Sequence, residues 1–230
     1  MKKNRITYQF EESQDPFALS IGDLMAALLL IFILLLSSTL LMLQDEFENK
    51  NKIAENYTAI KNDIYKELFN EFEKDLKNWN AEIDSNELTI RFLEPKILFD
   101  KNQYKVKAEF KSILKSFFPR YIRVLSREEF KENIEEIRIE GHTDNEANYY
   151  HNMWLSQART RSVLEFVLDS TNYNQKHKKW MIEYITANGL SYSKPLRPND
   201  TEVNKNINRR VEFRVRTNAE KKIDEILKIK

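Results

Sequence analysis

Cysteine is absent from the 230 residues. That excludes a disulfide framework and a thiolate metal site, and is compatible with either cytoplasm or periplasm. Three histidines leave little room for a His-rich metal centre. An excess of one charge is missing too, since Lys and Arg number 37 and Asp and Glu 36. No strongly basic or acidic partner is therefore indicated, and nucleic-acid binding is not expected. Glycines are scarce, and none flanks Ser156 as a nucleophile elbow requires, so a His142, Asp144, Ser156 triad is set aside and the chain is read as a non-enzyme.

The apolar residues that are present crowd into one segment. Phe17 to Leu43 would rise to about 40 Å as a helix at ~1.5 Å per residue, more than the ~30 Å of hydrocarbon a span must cross. It runs straight into Gln44, Asp45 and Glu46 with no small-residue cleavage site, so it reads as an uncleaved signal anchor. Lys2, Lys3 and Arg5 precede it and Lys50 and Lys52 follow, a balance that only slightly favours a cytoplasmic N-terminus.

One acid, Asp23, lies inside this segment. An ionised carboxylate there costs on the order of 3 kcal/mol, which makes it a functional residue by default. Ser20, Asp23, Ala26, Ala27, Leu30 and Leu34 share one helical face, and its small residues permit close approach of another helix. Asp23 is thus expected to face protein and to carry an ion, with Ser20 as its neighbour. A single helix cannot enclose such a path, so a multi-helix membrane partner is required. A proton is the simpler cargo, with sodium not excluded, and no cofactor is expected.

The tract that follows contains no glycine, and Phe47, Ala54, Tyr57, Ile60, Ile64, Leu68, Phe72, Leu76 and Trp79 recur mostly at intervals of three and four. They form an apolar stripe on an otherwise solvated helix, which needs cover from the globular domain or from a second copy as a coil. Beyond it, "ELTIRFL", "IEEIRIEG", "EYITANGL" and "RRVEFRVRT" alternate as strands. "QYKVKAEFKSILKSFFP" reads as a helix closed by Pro119, and "LSQARTRSVLEFVL" as a second helix. The arginines of the last strand are read as a solvated face. The expected fold class is α/β, a sandwich with helices packed on one mixed sheet. The expected divisions are a tail at 1–16, a transmembrane helix at 17–43, a helical linker at 44–85 (dimer coil or plug), a globular domain at 86–217 and a tail at 218–230.

"IEGHTDNEANYYHNMWLSQARTRSVLEFVL" together with "NRRVEF" resembles OmpA-like peptidoglycan-binding domains. The resemblance implies that Asp144 and Arg159, fifteen positions apart (159 − 144 = 15), grip the diaminopimelate of the wall peptide. Thr143, Asn152 and Leu155 occupy further motif positions, and Arg210 falls in the closing motif. The pairing is chemically sensible, because diaminopimelate offers an ammonium and a carboxylate on one short side chain. Ala147 stands where a glycine is usual. With the N-terminal span, the chain is similar to MotB-type stator subunits. "SIGDLMAALLLIFILLLSS" more closely resembles the ZorB family of Zorya antiphage systems. This implies a homodimer ringed by MotA-like ZorA subunits in the bacterial inner membrane. The N-terminus would be cytoplasmic, the C-terminal domain periplasmic and bound to peptidoglycan. Flagellar motility and a passive tether are the alternatives.

Overall fold

The computed structural model describes residues 16–169 and 175–218; most of the expected N-terminal tail and nearly all of the C-terminal tail lie outside them. The chain forms two compact units, residues 1–52 and 53–230. Helix α1 (Pro16–Leu76) runs through the apolar segment and the charged tract without interruption. Among the described residues it is the one helix long and apolar enough to cross a membrane, and its apolar window is fully exposed.

The second unit is a five-stranded mixed sheet in the order β1-β2-β5-β3-β4. The strands are β1 (Ala81–Asp84), β2 (Thr89–Phe92), β3 (Ile134–Gly141), β4 (Ile185–Gly189) and β5 (Val211–Thr217). Only β3 and β4 pair in parallel; the other pairings are antiparallel. Period-two alternation puts Ile90, Phe92, Ile137, Ile139, Val211, Phe213 and Val215 on one buried face. The short helices α2 (Pro95–Leu98) and α4 (Glu128–Lys131), the longer α3 (Ala108–Leu125) and α5 (Tyr149–Asp169), and the C-terminal part of α1 contribute to the same core.

The C-terminal part of the apolar stripe, from Ile60 onward, finds its cover here, while Phe47 at its start stays exposed. Ile64, Leu68 and Phe72 are fully buried, and the Phe72 ring lies 5.1 Å from Phe117 and 5.9 Å from Trp79. Arg120 of α3 donates to Glu71 at 2.6 Å and to Asp75 at 2.7 Å, fastening the two helices. The domain therefore takes in residues that the sequence assigned to a linker, and its sheet begins at Ala81, ahead of residue 86.

Two further readings are corrected. Pro119 does not close a helix but lies inside α3. An interior proline costs about 3 kcal/mol. The burial of Phe117, Phe118, Tyr121, Ile122, Val124 and Leu125 around it outweighs that cost. The arginine-bearing face of β5 is solvated only in part: Arg214 and Arg216 are half-buried, and the end of the strand nearest the cleft is covered. Glu212 is 2% exposed and the preceding Arg210 4%, with Arg91 and Glu140 buried beside them. Arg91 donates to Glu212 at 3.0 Å, Asp84 at 2.8 Å and Glu87 at 2.9 Å, so opposite charges satisfy one another beneath the surface.

Candidate functional site

The turn after β3 and the start of α5 form the site. Gly141 and Gly189 face each other across β3 and β4. A Cβ on Gly141 would lie 2.7 Å from Thr160, and one on Gly189 2.3 Å from the Gln157 backbone nitrogen. These two glycines let α5 lie directly against the strands. Asn148 accepts from the His151 N–H at 2.9 Å and caps the helix start.

Asp144, Arg159, Thr143, Asn152, Leu155 and Arg210 all line one cavity of about 740 Å³. Asp144 Oδ1 accepts from the Glu146 N–H at 3.0 Å, and Oδ2 accepts from Arg209 at 2.5 Å. Arg159 donates through Nε to the Gln103 carbonyl at 2.9 Å and lies 4.8 Å from the Phe99 ring centroid. No ion pair within 4 Å joins Arg159 to Asp144 among the described residues. Burial holds the Arg159 guanidinium below its ordinary value, at about 10, with Asp144 opposing and Arg209 adding to the shift; it stays charged at neutral pH. The cleft thus presents an acid and a guanidinium that are not used up on each other.

The remaining residues play different parts. Asn152 donates to the backbone carbonyls of Asp144 and Ala147 at 3.1 and 2.9 Å, which ties the loop to α5. Thr143 is 3% exposed, and its hydroxyl makes no hydrogen bond among the described residues. Arg210 reaches the cavity wall, but its guanidinium is engaged by Glu212 at 2.5 Å and by the Asn208 and Lys194 carbonyls. Its neighbour Arg209 is the arginine on Asp144, a residue the motif reading passed over. The signal was present, since the closing motif holds two adjacent arginines; Arg209 caps the end of a short helix, Glu202–Asn208, and reaches Asp144, while Arg210 leads into β5 and reaches Glu212. Ser156 is fully buried; its hydroxyl donates to the Met153 carbonyl at 2.9 Å and accepts from the Ser191 N–H at 3.0 Å. It is a packing hydroxyl, distant in role from any nucleophile. Ser20 and Asp23 lie on α1 within the other unit, one helical turn apart.

A second, smaller cavity of about 320 Å³ is lined by Glu140, His142, Glu212, Lys194, Arg210 and Arg214, among others. Burial lowers the His142 imidazole from its ordinary value, so it is neutral at pH 7.

Comparison with known proteins gives a consistent picture. The OmpA family pattern matches residues 98–209. The Zorya protein ZorB of Escherichia coli strain Crooks is 38% identical over 217 residues, covering 91% of each chain. A second Zorya protein ZorB, from Escherichia coli O139:H28, is 27% identical over 212 residues, covering 89% of this chain and 82% of that one. The crystal structure of a protein described as MotB-like, from Desulfovibrio vulgaris, superposes with a TM-score of 0.52 at 23% identity. It covers 71% of this chain and 98% of its own, which establishes the shared fold.

Proposed function

This chain belongs to the ZorB family of Zorya proteins, and from that membership we propose that it is the wall-anchored stator subunit of an ion-driven inner-membrane complex serving antiphage defence. The cleft carries the anchoring half of this reading: Asp144 and Arg159 line one cavity without pairing with each other. A diaminopimelate ammonium would replace Arg209 beside Asp144, and its carboxylate would take the guanidinium edge of Arg159. Phe99 and the Gln103 carbonyl hold that guanidinium in place, so little side-chain freedom is lost on binding.

Asp23 supports the ion-driven half. In a dimer of this chain enclosed by ZorA-like helices, it would take up a proton from one side and release it to the other. The cytoplasmic N-terminus and periplasmic C-terminal domain follow from a wall ligand that lies outside the inner membrane.

Two measurements on the full chain test the proposal. Detergent-solubilised protein is expected to pellet with isolated diaminopimelate-type sacculi, and Asp144→Ala or Arg159→Ala to abolish this. Equal pelleting by both variants would refute the anchoring role. In cells carrying the complete system, Asp23→Asn is expected to lose phage protection while still pelleting with sacculi. Full protection by Asp23→Asn would leave only a passive tether.

A further inference from the structure

Behind the floor of the cleft, Glu140, His142 and Glu212 turn toward one point. All three are buried, at 2%, 3% and 2% exposure, and one ligand atom from each lies within 4.8 Å of the others. His142 Nε2 is 3.7 Å from Glu212 Oε2 and 3.9 Å from Glu140 Oε2. Those separations are too long for hydrogen bonds, and neither ring nitrogen of His142 finds a partner among the described residues. A buried imidazole with both nitrogens unsatisfied destabilises the fold unless something completes them. The arginine contacts of the Glu140 carboxylate, to Arg138 and Arg214, are long, at 3.9 and 4.0 Å.

We propose that this cluster is a binding site for a divalent first-row transition ion of the zinc type, held by His142 Nε2 and one oxygen each from Glu140 and Glu212, with water completing the shell. In tetrahedral zinc sites with bonds of about 2.0–2.2 Å, neighbouring ligand atoms lie roughly 3.3–3.5 Å apart. The imidazole-to-carboxylate gaps of 3.7 and 3.9 Å close to that size with shifts of a few tenths of an ångström, while the wider spread of the cluster, up to 4.8 Å, calls for rotation of a carboxylate by about 1 Å as well. The two carboxylates cancel the charge of the ion. Glu212 is oriented by Arg91 and Arg210, both of which bond its other oxygen, Oε1, and leave Oε2 turned to the imidazole. Outer partners of this kind fix metal-bound carboxylates in general. The same guanidiniums repel a cation, so the expected affinity falls well short of a thiolate site. Entry is through the smaller cavity, which all three ligands line.

The placement gives the ion a structural consequence. His142 leads directly into Thr143 and Asp144, and Glu212 follows Arg209 and Arg210, with the His142 N–H donating to the Arg210 carbonyl at 3.0 Å. An ion here would brace the two chain segments that carry the acid of the cleft and its arginine partner.

The test uses the full chain in detergent, purified without a polyhistidine tag and stripped with chelator. Titration with Zn²⁺ alone is expected to show one saturable equivalent per chain and a raised thermal midpoint. Co²⁺ is expected to give the visible absorption of a four-coordinate ion. His142→Ala and, separately, Glu140→Gln are expected to weaken binding at least ~10-fold, whereas His151→Ala and His177→Ala leave it unchanged. Absence of a saturable equivalent in the wild type overturns the proposal. So does binding that survives His142→Ala or Glu140→Gln. The wild-type cobalt spectrum decides the matter if either variant fails to fold.

Discussion

Replacing Phe72 by Ala tests whether the distal part of α1 belongs to the domain core. The Phe72 ring is fully buried, packs 5.1 Å from Phe117 and 5.9 Å from Trp79, and lies 4.9 Å from the Arg120 guanidinium. Deleting such a ring costs about 3–5 kcal/mol through lost transfer energy and the cavity left behind. A value near 4 kcal/mol is a large fraction of the ~5–15 kcal/mol that holds a domain folded. In a domain of this size each kcal/mol lowers the midpoint by about 2–4 °C, so a drop of roughly 8–16 °C is expected. Trp79 is a built-in reporter, and thermal unfolding of the full chain in detergent can be followed by its fluorescence. Phe47, on the same helix but 65% exposed, is the control, with an expected change within about 0.5 kcal/mol on substitution by Ala. A loss of less than about 1 kcal/mol in Phe72→Ala would refute the packing argument. The stripe would then serve as a coil between copies, and the variant would alter dimerisation instead.

Three other perturbations have defined outcomes. Gly189→Ala places a methyl 2.3 Å from the Gln157 nitrogen, lifting α5 from β4; both a lower midpoint in thermal melts and weaker sacculus pelleting are expected. Arg159→Lys keeps the charge but loses the planar fork and the stacking on Phe99, and calorimetry with a diaminopimelate peptide should show affinity reduced by about tenfold. Glu136 has its carboxyl below the ordinary value: burial pushes it up, but the Thr186 hydroxyl and the Arg138 and Arg216 guanidiniums outweigh burial. A depressed folded value means that its stabilisation is present above the unfolded value and lost as pH falls through the folded one. Glu136→Gln should therefore flatten the fall in thermal midpoint below about pH 4.5.

The sheet and main helices were legible because alternation survives through β2, β3, β4 and β5 with their flanking residues, and 3.6-residue periodicity through the long helices. Asp144 and Arg159 could be picked out because the motifs that contain them are close in sequence, with a short loop after β3 and nearly three turns of α5 between the two side chains. Other features escaped for identifiable reasons. "AEID" is too short and too polar to signal a strand, and it pairs only because β2 offers an edge. Pro119 reads locally as a stop, and tertiary burial of its neighbours overrides it. The burial of Arg91, Arg210 and Glu212 cannot be seen from alternation, which reports a face but not what covers it. Arg209 was hidden beside a motif residue of the same type.

The strand order has a bearing on how the domain is made. β5, the last strand in chain order among the described residues, occupies the middle of the sheet and pairs with both β2 and β3. Until Thr217 has been synthesised, the β1-β2 hairpin and the β3-β4 pair are two fragments with no seam between them, each with an open edge. Closure across more than a hundred residues is slow relative to local pairing. Completion of the sheet therefore waits for β5, and a stop codon anywhere before Val211 is expected to yield no smaller stable domain.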